Sequence, residues 1–484
     1  MRATMFAVYS LGLVGCCMET IAQPVDIGSR LELMVDDSLI ESMTGARLTL
    51  HRPVEREVAI VLDQPWEGNN GGYVTVFQDG DLYRMYYRGK QLNWTGGKLT
   101  TPHAEYYCYA ESADGIHWEK PSLGLVAHDG STDNNIILSG LGCHNFSPFK
   151  DANPNCKPGE EYKALGSGAK GALVAFKSSD AIHWSTMAEA PVITEGAFDS
   201  QNIAFWDPID EQYREYHRGF RDGRDVLTCT SDDFMAWTDP VWLEYDPSRL
   251  TQLYTNQVAP YYRAPHILLG FPTRYADSRA KLGPLNEAIS KVSERYGTDY
   301  TDSGFMTSRD RERFSVWSEA FIRPGPQEGG RWVYGDNYQN WGIVETPAAD
   351  RRAPRELSVY ATEGCWAGTS LSLRRYSLRV DGFSSASADM SGGELLTKPI
   401  TFTGSELALN FSTSVAGGVR VELQDAIGKP IAGHALADSE DMFGDSLERV
   451  ISWGGSSDVS ALAGKPIRLR IEIRDADLYS YRFR

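Results

Sequence analysis

The sequence predicts an all-β protein, a five-bladed β-propeller followed by a C-terminal β-sandwich. One supporting observation is a seven-residue unit, Ser-x-Asp followed after three residues by Trp or Phe, which occurs four times. A second is that strand-like stretches flank each copy and two more precede it, as in a four-stranded propeller blade. A third is a change after about residue 391 to strictly alternating strands. The four copies are ESADGIHWEKP (111–121), KSSDAIHWSTM (177–187), TSDDFMAWTDP (230–240) and TSRDRERFSVW (307–317).

Composition excludes one class of partner. The chain has 484 residues, of which 42% are hydrophobic and 23% charged, and its formal net charge is −18. This is ordinary globular composition, and an acidic surface is unsuited to phosphate backbones, so no nucleic-acid partner is expected. A charged small substrate is not excluded, because a local basic pocket can lie on an acidic protein.

Residues 1–22 are typical of an export signal peptide. Arg2 precedes the apolar run MFAVYSLGLVG (5–15), which has signal-peptide length. Cleavage after TIA (20–22) would give a secreted or periplasmic protein, the outcome we favour. The alternative is the lipoprotein-like LVGC (13–16), with a lipid anchor at Cys16. No later stretch reaches about 18 apolar residues, so no transmembrane span is expected.

Five cysteines lie outside this signal. Cys143 and Cys156 flank a Pro- and Asn-rich loop and could form a disulfide in an oxidising compartment. Cys108 and Cys229 alternate with apolar residues in strands, which favours buried thiols. No CxxC or Cys/His spacing indicates zinc, so neither a metal site nor a cofactor is predicted.

The propeller is predicted over residues 28–390. Its first blade begins with the strands YVTVFQ and LYRMYYRG, which are joined by the hairpin turn Asp79-Gly80-Asp81. The segment 30–53 is expected to pair with the last blade and close the ring, which removes exposed sheet edges. The five blades are predicted at 60–125, 142–190, 198–246, 252–325 and 337–388.

The repeated unit is interpreted as a structural device. Its Ser and Asp oxygens can accept hydrogen bonds from backbone N–H groups in the turn between strands three and four. Its aromatic ring is expected to pack against the neighbouring blade. Catalysis by these residues is the less favoured alternative.

Two segments depart from the blade pattern. GPLNEAISKVSERYG (283–297) places Leu285, Ile289, Val292 and Tyr296 on one helical face, which predicts a surface helix. Residues 391–484 are predicted to form the β-sandwich, because strands such as PIRLRIEIRD alternate between apolar and charged residues.

These features resemble a known superfamily. Five blades with Ser-x-Asp-Gly-x-x-Trp turns and a C-terminal sandwich are similar to glycoside hydrolases of families 32, 43 and 68. The stretches VDDSLIE (35–41), FDSQNIAFWD (198–207), GFPTRY (270–275) and DADLYSYRF (475–483) resemble those of a group of secreted bacterial hydrolase-like proteins. The resemblance covers nearly the whole mature chain and implies a glycosidase. The family signatures for the catalytic acids are absent, so no acid is transferred by motif.

Catalytic candidates therefore come from propeller geometry. Strand one of each blade lines the central channel, and the starts of strand one together with the ends of strand two surround one mouth. Glycoside hydrolysis needs two carboxyl groups on either side of one bond. Asp199 ranks first because it lies beside polar residues at a strand-one start. The four candidate acids are Asp199, Glu67, Glu345 and Glu363.

Substrate-binding candidates surround the same mouth. Arg88, Arg218 and Arg274 end strand two of three blades, and together they would bind a carboxylate or sulfate. The alternative is that each arginine pairs with a nearby acid. Every strand-one start contains an Asn, which is either a sugar ligand or turn chemistry. The remaining candidates are His144, Asn256 and Trp341, the last of which could equally be a packing residue.

Three functions fit these observations. The favoured one is a secreted glycoside hydrolase that acts on an oligo- or polysaccharide, with acidic or sulfated sugars the preferred class. The second is a sialidase-like enzyme with an arginine triad and a tyrosine nucleophile, for which Tyr360 beside Glu363 is a weak candidate. The third is a carbohydrate-binding propeller without catalysis.

Overall fold

The computed structural model describes residues 23–168 and 171–484. The predicted signal peptide at 1–22 and the alternative lipid anchor at Cys16 lie outside the described residues. In the part of the chain that the structure describes, no helix is long and apolar enough to cross a membrane.

Blades one to three are four-stranded antiparallel meanders, as predicted. The fourth strand of blade one is Ile136–Ser139, whereas the sequence places it at 118–125. The strands, in sheet order, are Thr75–Asp79, Leu82–Gly89, Tyr106–Ser112 and Ile136–Ser139 in blade one; Gly142–Lys150, Tyr162–Ser167, Leu173–Ser178 and Ser185–Thr186 in blade two; Ile203–Asp207, Gln212–Phe220, Arg224–Ser231 and Val241–Trp242 in blade three.

Blades four and five are elaborated. Blade four carries the extra parallel strand Glu244–Tyr245, and a separate three-stranded sheet extends it. Its strands are Ala259–Tyr261, Ala264–Gly270, Met306–Ser308 and Arg313–Val316; the extension has Gln252–Leu253, Thr273–Ala276 and Tyr300–Ser303; blade five has Val344–Thr346, Glu356–Glu363, Leu371–Arg379 and Val54–Leu62.

The ring closes differently from the prediction. The N-terminal strand Val54–Leu62 is the outer strand of blade five, where it pairs with Leu371–Arg379. The segment 30–53 instead pairs with the C-terminal sheet, for example through Arg47–Leu50 against Ser384–Ala388. Strand pairing thus assigns residues 25–50 to that sheet, although the sequence analysis groups 28–53 with the propeller. The apolar pattern of a closing strand does not specify its partner, because both neighbours offer an open edge.

The C-terminal unit is built around two long antiparallel strands, Leu407–Asp425 and Ile467–Phe483. Side chains alternate as predicted, because the apolar residues of Ile467–Phe483 are buried and Arg468, Arg470 and Arg474 face outward. The other strands of this sheet are Val25–Gly28, Glu32–Leu33, Ile40–Thr44, Arg47–Leu50, Ser384–Ala388, Gly393–Thr397, Ile400–Phe402 and Asp445–Val450.

The repeated unit forms the turn that the sequence predicts. In blade one, Oγ of Ser112 accepts a hydrogen bond from N–H of Gly115 at 2.9 Å, and Oδ1 of Asp114 accepts from N–H of Ile116 and His117 at 2.8 and 2.9 Å. The Ser-Asp pairs at 178/180 and 308/310 bind their turns in the same way. In the pair at 231/233, Asp233 accepts from two turn amides as before, but the Ser231 hydroxyl accepts from N–H of Asp233.

The residue after each of these aspartates has a left-handed backbone. Gly115 has φ +73°, and Ala181, Phe234 and Arg311 have φ between +67° and +73°. This conformation turns the carbonyl of the residue toward the neighbouring blade. Hydroxyls of strand-two tyrosines donate to three of these carbonyls, in the pairs Tyr360–Gly115, Tyr86–Ala181 and Tyr216–Arg311. The repeat therefore fastens adjacent blades together.

Replacing Asp114 by Ala should lower the free energy of unfolding by about 1–2 kcal/mol, because two turn amides lose their acceptor. Thermal or denaturant unfolding measures the change. The matched control is Asp133→Ala, since Asp133 is exposed and its carboxylate accepts no hydrogen bond among the described residues. Equal stability of the two variants would contradict the capping role.

The predicted helix at 283–297 is two short helices. They are Pro284–Ile289 and Glu294–Thr298, separated by a turn in which two serines and a β-branched valine weaken helix propensity. Ile289 is buried, and the second helix carries Arg295 toward one mouth of the propeller. Three short 3₁₀ segments complete the structure, at Thr95–Gly97, Gln327–Gly329 and Ser460–Leu462.

All five described cysteines are free thiols. The suggested Cys143–Cys156 disulfide is wrong: both thiols are free, since Cys143 lies at the start of the strand Gly142–Lys150 and Cys156 lies in the loop beyond its other end. That strand separates them by about 20 Å or more, whereas a disulfide needs Cα atoms within about 7 Å. Cys108 and Cys229 are buried, as predicted.

Candidate active site

The starts of strand one form a polar basin with a closed floor. Nε2 of Gln257 donates to Oε1 of Gln201 at 2.7 Å and to the carbonyl oxygen of Gln339 at 3.0 Å. Ser303 extends the network through a 3.3 Å hydrogen bond to the Gln339 side chain. All four residues are buried. This glutamine network separates the basin from the opposite mouth of the channel.

The asparagines at the strand-one starts are structural. Nδ2 of Asn256 donates to the carbonyl oxygen of Tyr216 at 3.2 Å, and Oδ1 accepts from N–H of Val258 at 3.2 Å. Asn340 similarly binds the backbone of its own strand and of Tyr360. Asn256 is buried, so we propose a turn-bracing role for it, the alternative that the sequence left open.

Five tyrosines line the basin, and we call them the tyrosine cluster. Their rings meet at Tyr254, whose centroid lies 5.5–6.0 Å from those of three other members. The phenol of Tyr334 donates to that of Tyr254 at 3.0 Å. The members are Tyr73, Tyr254, Tyr275, Tyr334 and Tyr338.

Four guanidiniums lie over the rings of this cluster. They come from blade one, from two strands of blade three, and from the second helix. The carbon-to-centroid distances are 4.7 Å for Arg88 over Tyr73, 4.8 Å for Arg218 over Tyr254, 3.7 Å for Arg224 over Tyr275 and 5.3 Å for Arg295 over Tyr334. Such contacts are favourable cation–π interactions.

Three of these arginines lack an acidic partner. Within residues 23–168 and 171–484, no carboxylate oxygen lies within 4.0 Å of the guanidinium nitrogens of Arg88, Arg224 or Arg295. Arg218 is paired with Asp199. Arg88 instead donates to Asn70 and to the carbonyl oxygen of His144. The basin therefore holds three guanidiniums outside ion pairs, beside the carboxylates of Asp199, Glu105 and Asp299, the last of which accepts from the Tyr275 hydroxyl.

Tyr254 differs electrostatically from its neighbours. Burial raises the pKa of its phenol, but the Arg218 guanidinium and the hydrogen bond that Tyr334 donates lower it below the pKa of free tyrosine. The pKa values of Tyr73 and Tyr334 are raised, chiefly by burial. Tyr254 is thus the phenol of the cluster that ionises most readily.

Asp199 lies at the rim of the basin. Its side chain is 69% exposed and pairs with Arg218, and its carbonyl oxygen accepts from the Tyr73 hydroxyl at 2.9 Å. Nε2 of His144 lies 3.3 Å from that carbonyl oxygen, and Nδ1 of His144 lies 2.9 Å from Glu105. Of the four candidate acids, Asp199 is the one that lies at this mouth and has an exposed carboxylate.

Glu67 and Glu363 are engaged in ion pairs. Glu67 is fully buried, and it accepts from Lys120 Nζ and the Tyr87 hydroxyl at 2.6 Å each. Glu363 is held by Arg374 through two hydrogen bonds of 2.7 and 2.8 Å. We propose structural roles for both carboxylates, because neither has a free oxygen facing the basin.

Glu345 belongs to the other mouth. It lines a pocket of about 740 Å³ with Tyr262 and Arg355. The same pocket is lined by Phe77 and Gln78, at the opposite end of strand one of blade one from Tyr73, which lies in the basin. We propose that Glu345 does not pair with Asp199, because a catalytic pair requires carboxyl groups roughly 5–10 Å apart.

Arg274 does not join Arg88 and Arg218, which corrects the predicted triad. Successive residues of a strand face opposite sides, so Tyr275 enters the tyrosine cluster while Arg274 faces away. Its guanidinium is held by Asp302 at 2.7 and 2.8 Å and donates to the Ser318 carbonyl. This is the acid-paired alternative from the sequence.

Trp341 packs inside the channel. It is 5% exposed, its Nε1 donates to the Val258 carbonyl at 2.9 Å, and its ring lies 6.3 Å from Phe149. We propose that it is an inter-blade packing residue. His144 is half-buried at the basin and keeps a position suited to ligand binding.

The sequence patterns did not indicate that the tyrosine cluster, Arg224, Arg295 and Glu105 lie at the basin. A signal existed, because three strand-one starts contain a tyrosine: GGYV (71–74), YTNQ (254–257) and NYQN (337–340). Tyr73 and Asn337 also have positive φ, at +51° and +63°. Such backbone strain concentrates at functional sites, but it is visible only in the structure.

Strand pairing and the basin define the class of this protein: a five-bladed β-propeller with a cationic, tyrosine-rich mouth and a C-terminal β-sandwich. No protein-family model matches the chain. Two curated relatives are uncharacterized proteins of Mycobacterium tuberculosis, MT1551 of strain CDC 1551 / Oshkosh and Rv1502 of strain ATCC 25618 / H37Rv. Each is 44% identical over 62 residues, 13% of this chain. The chain covers 20% of the length of these relatives.

Solved structures similar to this chain include carbohydrate-active enzymes. A thermostable family-43 glycoside hydrolase is 13% identical with a TM-score of 0.41, covering 68% of this chain and 93% of its own. An N-acetylgalactosamine deacetylase from F. plautii is 12% identical with a TM-score of 0.41, covering 69% and 96%. A fructofuranosidase from Schwanniomyces occidentalis is 11% identical with a TM-score of 0.38, covering 89% and 99%. The predicted resemblance to glycoside hydrolases is confirmed as a resemblance, but likeness this low carries no argument about activity.

Proposed function

We propose that this protein is a glycoside hydrolase whose substrate carries a carboxylate or sulfate group and binds in the basin. The observation that carries the proposal is the set of three guanidiniums, of Arg88, Arg224 and Arg295, which converge on the tyrosine cluster without an acidic partner. Concentrated positive charge without a protein counter-ion favours an anionic ligand.

The tyrosine rings suit the rest of a sugar. Aromatic faces pack against the apolar C–H surface of a pyranose, while guanidinium and imidazole N–H groups can donate to its oxygens. His144 and Arg218 both contact Asp199, Arg88 donates to the His144 carbonyl oxygen, and Arg224 lies over Tyr275. A saccharide that spans them would place its anionic group near Arg224 or Arg88.

Two groups on either side of Arg218 are placed for hydrolysis. We assign Asp199 as the proton donor and later the base, and Tyr254 as the nucleophile. The Tyr254 phenolate attacks the anomeric carbon while protonated Asp199 gives its proton to the departing oxygen. The Asp199 carboxylate then takes a proton from water, whose oxygen displaces the tyrosine from the anomeric carbon, and this step restores the phenolate and the protonated acid. This assignment replaces the pair of carboxylates with one carboxylate and an acidified phenol, which is the tyrosine-nucleophile alternative.

Arg224→Gln should weaken binding of an anionic oligosaccharide about tenfold or more, because one charge-assisted contact is worth about 1.5–3 kcal/mol. Isothermal titration at two salt concentrations, with carboxylated, sulfated and neutral oligosaccharides of matched backbone, measures this. Added salt should weaken binding of the charged ligands only.

The control variant is Arg351→Gln, because Arg351 is exposed in a loop of blade five away from the basin. Equal affinity for charged and neutral ligands would contradict the anionic substrate. An equal loss of affinity in the two variants would place binding outside the basin. Tight binding without turnover of any ligand would instead support a carbohydrate-binding propeller.

A further inference from the structure

Blade three holds a buried cluster that the proposed chemistry does not use. Glu215 and His217 are two residues apart on the strand Gln212–Phe220, so their side chains lie on the same face. Cys229 lies directly opposite Glu215 on the adjacent strand. Nδ1 of His217 is 2.6 Å from Oε2 of Glu215, and Sγ of Cys229 is 3.6 Å from the same oxygen. One potential ligand atom from each residue lies within 4.8 Å of the other two.

The cluster leaves polar atoms unsatisfied. Glu215 and His217 are fully buried, and Cys229 is 2% exposed. Oε1 of Glu215 and Nε2 of His217 have no hydrogen-bond partner among the described residues. A buried polar atom without a hydrogen-bond partner is destabilising, so the hydrogen bonds within the cluster do not account for its composition.

Blade one provides an internal comparison. It also buries a cysteine on strand three, Cys108, next to a carboxylate, Glu67. There the carboxylate is neutralised by Lys120, whose Nζ lies 2.6 Å away. In blade three, within the described residues, the basic group within 4.0 Å of the Glu215 carboxylate is the His217 ring alone. The blade-three cluster therefore lacks a full positive charge at its centre.

We propose that Glu215, His217 and Cys229 bind a zinc ion. A thiolate, an imidazole and a carboxylate are a ligand set that Zn²⁺ accepts. Binding releases the thiol proton of Cys229 and the proton shared by His217 and Glu215, and the ion then neutralises the buried carboxylate and thiolate. The His217–Glu215 separation must open to about 3 Å, the span of two ligands at about 2.0–2.1 Å from one zinc.

The position of the site defines its role. It is closed to solvent, so the ion would be structural rather than catalytic, with one buried water completing the four ligands that Zn²⁺ takes. The His217 ring packs under the backbone of Gly196, where a Cβ would come within 2.6 Å of Nε2, and its centroid lies 4.9 Å from that of Phe198. His217 also precedes Arg218 on the same strand. Zinc would therefore brace the segment that carries Asp199.

The test is the metal content of the full-length protein, purified without chelators and measured by mass spectrometry. Equimolar zinc is expected in the wild type, with loss to background in Cys229→Ser and His217→Gln. Cys108→Ser is the matched control and should retain the metal, because it removes a buried strand-three thiol that lies beside a lysine-neutralised carboxylate.

A second measurement, made on the wild type alone, tests the proposal even if the variants fail to fold. Cobalt(II) added to metal-depleted wild-type protein should give the near-ultraviolet charge-transfer absorbance of a cobalt–thiolate bond, and adding zinc should remove it and raise the thermal midpoint. Absence of both zinc and the cobalt band in the wild type would overturn the proposal. So would equal metal loss in Cys108→Ser and Cys229→Ser. Neither outcome depends on glycosidase activity.

Discussion

Asp199→Asn should remove nearly all turnover while the protein stays folded. The carboxylate is 69% exposed at the basin rim, so the amide fits without repacking and still offers Arg218 a hydrogen-bond acceptor, although that buried guanidinium loses its ion pair and some stability is lost with it. Loss of general acid–base chemistry costs about 10²- to 10⁴-fold in rate. Steady-state kinetics on an anionic substrate, together with a thermal-unfolding profile, would measure the effect.

The control for this variant is Asp222→Asn. Asp222 is an exposed aspartate on blade three, outside the Asp199–Arg218 pair. Its replacement should leave turnover unchanged. An Asp199→Asn protein that keeps its turnover would show that the proton donor is another group, and the Glu105 carboxylate beside His144 would be the next to examine.

Tyr254→Phe should also reduce turnover by orders of magnitude, because loss of a nucleophile costs at least as much as loss of an acid or base. The ring stays in the tyrosine cluster, so substrate affinity should change little. What is lost is the phenol that Arg218 acidifies. Since the ionised phenol is the reactive form, activity of the wild type should fall as the pH falls below the pKa of Tyr254.

Mass spectrometry adds a direct readout for Tyr254. A fluorinated anionic glycoside that slows deglycosylation should leave a sugar on the peptide that contains Tyr254 in the wild type and none in Tyr254→Phe. Tyr479→Phe is the matched control, since it removes a phenol hydroxyl in the C-terminal sheet that is bonded to Ser412. A glycosylated aspartate or glutamate would instead support a pair of carboxylates.

The fold was predictable because its signals are local. The Ser-x-Asp turn is specified by seven consecutive residues, and its four copies indicate four of the blades. The polar starts of strand one placed the candidate mouth for the same reason. Ring closure was not predictable, since nothing within Val54–Leu62 indicates that it pairs with Leu371–Arg379 rather than with blade one.

The sequence predicted which end of the channel holds the candidate site, but not which side chains lie there. Glu67 is neutralised by Lys120, which lies 53 residues further along the chain, so its burial is invisible in the local sequence. Arg274 and Tyr275 are neighbours on one strand and face opposite sides of it, so Tyr275 rather than Arg274 lies in the basin. The Glu215 cluster likewise depends on the strand register that sets Cys229 opposite it.

The central claim is that the basin binds and hydrolyses an anionic saccharide. The most direct measurement is product formation by the wild type and by Asp199→Asn from carboxylated and sulfated oligosaccharides and from their neutral counterparts. The account predicts product from at least one charged substrate with the wild type, none from its neutral counterpart, and a rate at least about 10²-fold lower with the variant. Equal hydrolysis of charged and neutral substrates, or undiminished hydrolysis by Asp199→Asn, would contradict it.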